Sequence, residues 1–155
     1  MVGAGSSLKR EIPPRTHSRP CDGQWWTMPI NFTIEDDILH VVFADPYDFE
    51  DVKRTYLEAM QHPDFHPPMR SLVDVRQVNR SVPAGEIDAM VDFGAVHVHK
   101  FTPRGAIVCR PGSLVFALTR MFCAIAEQQR LDYKIFYDFA EARRWILQAH
   151  TETSA

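Results

Sequence analysis

The residues best suited to chemistry stand at one junction, where an apolar run ends and a helical pattern begins. Arg110, Gly112 and Ser113 follow the run Gly105–Cys109 and precede the helix. A helix that starts after a strand offers free backbone N–H groups to an anion, glycine allows a close approach, and arginine adds positive charge. These three residues are therefore candidates for contact with a ligand or an anion. The alternative is an ordinary turn in which the Ser113 hydroxyl caps the helix.

Neither catalysis nor metal binding is predicted. The sequence around Ser113, Arg-Pro-Gly-Ser-Leu, lacks the Gly-x-Ser-x-Gly pattern of a serine nucleophile, and no cluster of acid, base and nucleophile stands elsewhere. The histidines within residues 62–66 lie in a proline-rich loop, and His97 and His99 point to different faces of a predicted helix. Neither set has the spacing that a helical zinc site favours, so we expect no metal and no cofactor.

The predicted third helix is apolar on more than one side, from Leu114 to Phe122. Such a helix is either buried all round or meets a partner. Val115 and Phe116 are therefore predicted to form a partner surface, that of a homodimer, unless the helix covers an apolar pocket. Arg120 on the same helix is a further candidate for ligand contact; the alternatives are a charge at the helix edge, a pair with a carboxylate such as Asp74, or plain exposure to solvent.

The composition is that of one globular domain. A chain of 155 residues, 45% apolar and 24% charged, can bury a core without a metal or a disulfide. Its three cysteines, Cys21, Cys109 and Cys123, have no metal-ligand spacing and predict free thiols in a cytoplasmic protein. We expect neither a signal peptide nor a transmembrane helix, because no apolar run has the length that either needs.

Charge and residue type divide the chain near residue 28. Residues 1–27 hold four basic and two acidic residues, are rich in glycine, serine and proline, and lack any apolar period. We predict a disordered tail over 1–27 and one folded domain over 28–150. Because the net charge of the whole chain is −3, the folded part is acidic, which disfavours nucleic acid and anionic membranes as partners.

The hydrophobic pattern predicts two strands and a helix, followed by three strand–helix pairs. Ile30, Phe32 and Ile34 alternate with polar residues, as in a half-buried strand, and the turn at Asp36-Asp37 favours an antiparallel hairpin. Repeated strand–helix units imply parallel strands with right-handed crossovers. The expected fold is an α/β domain with about four helices and a mixed, mainly parallel sheet that an antiparallel hairpin opens.

Several strings, in this order, resemble the bacterial SpoIIAA-like family, a STAS-like group also described as STAS/SEC-fourteen-like. The resemblance covers about residues 28–149 and implies a sheet with helices packed mainly on one side. The strings are Met28-Pro29-Ile30, His62-Pro63-Asp64-Phe65, Leu72-Val73-Asp74-Val75-Arg76, Ala106-Ile107-Val108, Ala117-Leu118-Thr119-Arg120-Met121, Phe136-Tyr137-Asp138-Phe139 and Ala142-Arg143-Arg144-Trp145.

A phosphoserine switch, which the resemblance to related STAS domains implies, is not expected here. In those domains a serine at the start of the helix after the central strand is phosphorylated, within Asp-Ser-Ser-Gly. If Asp74 and Gly85 are aligned with that motif, residues 82–84 are Val-Pro-Ala, so the phosphoacceptor is missing. Ser81 stands nearby, but its predicted role is to cap the helix.

Two functions remain open. The first is a non-enzymatic regulatory or protein-interaction module that forms a homodimer or binds a protein partner. The second is a small carrier or sensor for an apolar or lipid-like ligand bound beneath the third helix. The most informative observation between the two is whether the folded protein holds a closed apolar cavity of ligand size, about 300 Å³ or more.

Overall fold

Five strands and four α-helices make up the part of the chain that the structure, a computed structural model, describes: residues 29–79 and 82–153. The predicted tail, 1–27, lies outside these residues. A single 3-10 turn, Val98–Lys100, precedes the fourth strand. The elements in chain order are β1 (Ile30–Glu35), β2 (Ile38–Ala44), α1 (Phe49–Met60), β3 (Met69–Gln77), α2 (Ala84–Val96), β4 (Phe101–Val108), α3 (Leu114–Gln128), β5 (Asp132–Phe136) and α4 (Phe139–Thr153).

The opening hairpin follows from its two aspartates. Asp36 and Asp37 both have positive φ, 54° and 61°, so they form the two-residue turn whose twist matches that of the flanking strands. Aspartate tolerates this left-handed conformation better than most residues. The turn aligns β1 antiparallel to β2, with Glu35 opposite Ile38 and Ile30 opposite Phe43. The predicted hairpin is confirmed.

The sheet runs β1-β2-β3-β4-β5, and all pairs after the hairpin are parallel. Each crossover leads to the next strand in the same direction, so right-handed connections put α1, α2 and α3 on one face. The predicted α/β class, the mixed sheet and the four helices are therefore confirmed.

Alternate side chains of the strands belong to two separate cores. We call the side beneath α1, α2 and α3 the crossover face; Leu39, Val73 and Ile107 point to it. The opposite side is the α4 face, where Leu72 and Ala106 pack against Ile146 and its neighbours in α4. Three helices thus share the crossover face, whereas one helix of the described residues covers the α4 face.

Side-chain caps set the starts of α1 and α4. The Asp48 carboxylate accepts a hydrogen bond from the Asp51 N–H at 2.9 Å, and the Asp51 carboxylate accepts one from the Asp48 N–H at 3.0 Å. At α4, the Asp138 carboxylate accepts a hydrogen bond from the Ala140 N–H at 3.3 Å. Both aspartates thus cap their helices by accepting hydrogen bonds from backbone N–H groups of the first turn.

Pro83, and not the expected serine, holds the N-cap position of α2. The helix begins at Ala84, and Pro83 lies in an extended conformation and makes no side-chain cap. Proline has a fixed φ that suits the entry to a helix. Ser81, the rejected phosphoacceptor and expected cap, stands three residues before Ala84 and lies outside the described residues.

Candidate ligand cavity

Ser113 lies at the N-cap of α3, and its hydroxyl is engaged within the chain. The Ser113 Oγ accepts a hydrogen bond from the Phe116 N–H at 3.1 Å and donates one to the Arg110 carbonyl at 2.9 Å. Gly112 provides the turn with φ of 71°, and the Arg110 guanidinium donates to the side-chain carbonyl of Asn79. The structure therefore brings Arg110, Gly112 and Ser113 together as a capped turn. Their contact with a ligand or anion stays a prediction.

Arg120 does not pair with Asp74. The Asp74 carboxylate accepts hydrogen bonds from Arg76, at 3.0 Å from Nε and 2.6 Å from Nη2. Arg120 is exposed instead, with its guanidinium carbon 5.9 Å from the centre of the Phe116 ring one turn earlier. Of the alternatives for this residue, the pair with Asp74 is thus wrong, and a charge on the helix surface is what the structure has.

The two residues predicted to form a partner surface lie on different sides of α3. Val115 is buried in the core of the crossover face. Phe116 is half-buried, and its ring lies 5.9 Å from that of Tyr137, which is itself 55% exposed. The many-sided apolar character of α3 therefore has two causes, since one side faces the interior and the other carries surface aromatic residues.

A cavity of about 150 Å³ lies between the crossover face and the helices above it, partly open to solvent. Its lining is apolar for the most part and comes from all three helices. Examples are Val52 and Tyr56 of α1, Met90 and Gly94 of α2, and Leu118 and Phe122 of α3. The pocket expected beneath the third helix lies instead beneath all three helices, with α2 as its largest helical wall. It is partly open rather than closed, and its volume is about half of the expected 300 Å³.

The cavity exists because α2 rests on its neighbouring helices rather than on the sheet. The helix packs mainly against α1 and α3. Phe93 of α2 contacts the rings of Phe49 and Tyr56 of α1, with centroids 6.2 and 6.3 Å apart. Gly94 follows on the cavity side, and a Cβ atom placed on it would meet nothing within 4 Å. The aromatic contacts keep α2 away from the sheet, and Gly94, which has no side chain, leaves the space between the helix and the sheet unfilled.

The size of this cavity makes it more than a packing defect. Protein interiors pack like organic crystals and contain few voids larger than a water molecule. At about 24 cal/mol per Å³, an unfilled volume of about 150 Å³ corresponds to roughly 3–4 kcal/mol of lost packing, an upper bound because the cavity is partly open. That is a large share of a typical domain's stability, so the packing lost here is substantial.

Some polar groups of the cavity lining form hydrogen bonds within the protein, and others are available to a ligand. In the described residues, no lysine, arginine, aspartate or glutamate lines the cavity. The Thr102 hydroxyl donates to the Arg104 carbonyl at 3.0 Å, and the Thr119 hydroxyl donates to the Val115 carbonyl at 2.8 Å. Both threonine hydroxyls therefore donate to backbone carbonyls rather than to a ligand.

Three further hydroxyls meet at the cavity floor, those of Tyr56, Ser71 and Tyr133. Ser71 of β3 is 2% exposed and lies within hydrogen-bonding reach of both tyrosine hydroxyls. Gly105 makes the position of Tyr133 possible, because a Cβ atom there would lie 2.5 Å from Cε2 of the Tyr133 ring. The glycine thus lets the ring of Tyr133 lie across β4 towards Ser71.

Burial raises the pKa of Tyr56 and of Tyr133 above the ordinary tyrosine value, and the hydrogen bond from Ser71 only partly opposes this. A tyrosine of raised pKa stays protonated at neutral pH and is a poor general base. The three hydroxyls therefore form a neutral hydrogen-bonding group rather than a catalytic one.

The raised tyrosine pKa values predict a loss of stability in alkali. Above pH 10 the unfolded chain releases these two protons while the folded chain retains them, so the free energy of unfolding falls as pH rises. Each group contributes up to about 1.4 kcal/mol per pH unit, and both are silent below about pH 9. Urea unfolding between pH 9 and 11.5 should show a steeper decline for the unaltered protein than for a Tyr56→Phe, Tyr133→Phe double variant. Equal slopes would contradict the prediction.

Sequence reasoning missed Tyr56, Ser71, Tyr133 and Gly94. The tyrosines stand at core spacing and read as ordinary apolar contacts. A serine in a buried strand next to Leu72 is the one available signal, because a hydroxyl there needs a partner.

The histidines of the loop after α1 make contacts within the chain. His62 Nδ1 accepts a hydrogen bond from the Asp64 N–H at 3.1 Å, and the His66 N–H points to the Met69 sulfur at 3.4 Å. Among residues 29–79 and 82–153, no three His, Cys, Asp or Glu side chains gather in a way that would hold a metal ion. Within the same residues no helix has the length and apolar character needed to cross a membrane.

Comparisons of the chain with protein-family models, with curated proteins and with solved structures find no match. The resemblance to the SpoIIAA-like family therefore stays a prediction. The cavity and the side chains that line it are the features of the structure that indicate a function.

Proposed function

We propose that this protein is a carrier or sensor that binds a small apolar ligand in the cavity beneath α1, α2 and α3. The observation that carries the proposal is the unfilled volume of about 150 Å³ that α2 roofs. The protein leaves apolar surface unpacked there, and a ligand would restore the missing contacts. Both tyrosines of the cavity floor, Tyr56 and Tyr133, have a raised pKa and stay protonated at neutral pH, which supports binding rather than catalysis.

The volume limits the size of the ligand. The cavity is about half of the 300 Å³ at which drug-sized pockets begin. An engineered apolar cavity of about 150 Å³ binds benzene, so the enclosed part of the ligand is a single ring or an alkyl group of similar size. A longer molecule would extend through the open side, which narrows the lipid-like ligand expected from the sequence to one with a small buried end.

Filling the cavity from within tests the proposal. In Gly94→Leu the new side chain enters the empty space, whereas in Gly85→Leu, on the same helix, it points to an exposed position. Both variants remove a helical glycine and its cost in backbone entropy, Gly94 in the body of α2 and Gly85 in its first turn. Toluene binding, followed by NMR line shifts and by the rise in melting temperature, should persist in the unaltered protein and in Gly85→Leu and disappear in Gly94→Leu.

Two results would refute this function. Toluene might bind to none of the three proteins, or it might bind to Gly94→Leu as tightly as to the unaltered protein. The first result would mean that the cavity takes no apolar ligand, and the second that toluene binds elsewhere.

The interaction module is the second candidate, and a surface feature favours it. Leu114 is 54% exposed, and Phe116 and the exposed Tyr137 lie close together beyond the start of α3. Apolar residues grouped on a surface are typical of a contact with another protein, here a second copy of the chain. Sedimentation velocity at micromolar concentration distinguishes the homodimer from the monomer.

The free thiols of Cys109 and Cys123 support the proposed cytoplasmic location.

A further inference from the structure

The floor of the cavity is a row of residues that crosses three strands. Ser71 of β3 is paired with Gly105 of β4, and Gly105 with Tyr133 of β5. Because Gly105 has no side chain, the Tyr133 ring occupies the space above it, and the Tyr133 hydroxyl reaches towards Ser71. Tyr56 of α1 also lines the cavity and lies near the same serine.

These three hydroxyls have more donors than they can use among themselves. Ser71 lies near both tyrosine hydroxyls, and even two hydrogen bonds centred on Ser71 would use only two of the three O–H donors. No other hydrogen-bond partner of Tyr56, Ser71 or Tyr133 is found in the described residues, and all three residues line the cavity, so at least one O–H group and several oxygen lone pairs are left for a ligand. A ligand oxygen placed there would supply the missing partner.

The rest of the lining excludes a charged ligand end. The described lining contains no charged residue apart from the titratable His97. Desolvation, helped by Lys100 and His99, lowers the pKa of His97, so this ring is uncharged at neutral pH. An ion placed among these residues would lose its hydration and find no opposite charge, which is prohibitively unfavourable.

We propose that the ligand is an uncharged ring compound with one hydroxyl or carbonyl oxygen, and that it binds with this oxygen inward, hydrogen-bonded to the hydroxyls of Tyr56, Ser71 and Tyr133. The inference rests on the proposed function and adds a chemical class and an orientation to it. The apolar remainder of the ring contacts α2 and α3. Any longer substituent points to the open side.

Three probes of equal ring size test this inference: toluene, phenol and benzoate, titrated at pH 7 into the unaltered protein, Tyr133→Phe and Tyr137→Phe. Tyr133→Phe removes one hydroxyl of the floor and keeps the ring. Tyr137→Phe makes the same change at an exposed position outside the cavity. We expect phenol affinity to fall about 3- to 10-fold in Tyr133→Phe alone, the worth of one hydrogen bond, while toluene affinity stays the same or rises. Benzoate should not bind.

The outcomes separate the inference from the function beneath it. If toluene binds but phenol affinity is the same in Tyr133→Phe as in the unaltered protein, the ligand oxygen does not bind to the hydroxyls of the cavity floor. The inference is then wrong, while the apolar-ligand function stands. Benzoate binding as tight as phenol binding would also overturn it. If neither toluene nor phenol binds the unaltered protein, both proposals fail together.

Discussion

Replacement of Ile146 by alanine is expected to lower the free energy of unfolding by about 2–5 kcal/mol. Ile146 is 1% exposed and packs with Leu72, Val108 and Phe136 in the core of the α4 face. No second helix of the described residues is available to close over the gap, so the cost should lie in the upper part of this range. Urea unfolding followed by circular dichroism measures it.

Gln148→Ala is the matched control for this change, because Gln148 is exposed on the same helix. It should alter the free energy of unfolding by less than about 0.5 kcal/mol. A loss below 1 kcal/mol in Ile146→Ala would contradict the arrangement in which α4 alone covers this face. Since the α4 face lies on the other side of the sheet from the cavity, Ile146→Ala should keep its toluene affinity wherever it remains folded.

Gly105→Ala is expected to lower the free energy of unfolding by about 1–3 kcal/mol, the usual cost of overpacking. The added Cβ atom would lie 2.5 Å from Cε2 and 2.7 Å from Cζ of Tyr133. The ring must therefore leave its place above β4 and move away from Ser71. Alanine is otherwise favoured over glycine in a strand by about 0.5–1 kcal/mol, so the sign of the change itself reports the contact.

A double-mutant cycle isolates this contact. In a Tyr133→Ala background the ring is absent, and the Gly105→Ala change should become neutral or stabilising. The difference between the two backgrounds is the coupling energy, expected at about 1–3 kcal/mol. If Gly105→Ala stabilised the unaltered protein, the Tyr133 ring would not lie above the glycine, and the floor of the cavity would have a different arrangement.

Local residue chemistry made much of the fold predictable. The turn at Asp36-Asp37, the cap at Asp48 and the cap at Ser113 each depend on a side chain and its own backbone. Interactions of this kind span a few residues, so they can be recognised in the sequence. The strand–helix order then predicted the mixed, mainly parallel sheet that the structure has, whereas the order of the strands within the sheet comes from the structure.

Where local rules compete, the sequence was a weaker guide. The start of α2 offered both a serine and a proline, and the proline at position 83 holds the N-cap. Two strands also begin earlier in the chain than their apolar residues indicate. β3 begins at Met69, before the apolar residues that start at Leu72, and β4 begins at Phe101, before the run that starts at Gly105. Pairing with the neighbouring strand sets such limits, because each backbone group in the sheet needs a partner.

The sequence alone determined which residues turn inward, through the spacing of apolar residues at intervals of about 3.6 and 2. It did not determine how far apart the inward-facing surfaces lie. That distance depends on the contact of Phe93 with α1 and on the lack of a side chain at Gly94. Neither effect can be recognised from the spacing of apolar residues. Tyr56, Ser71 and Tyr133 are likewise far apart in the chain and meet only because β3, β4 and β5 lie side by side. The elements are thus encoded locally, whereas the cavity arises from long-range packing, and only the tertiary structure decides it.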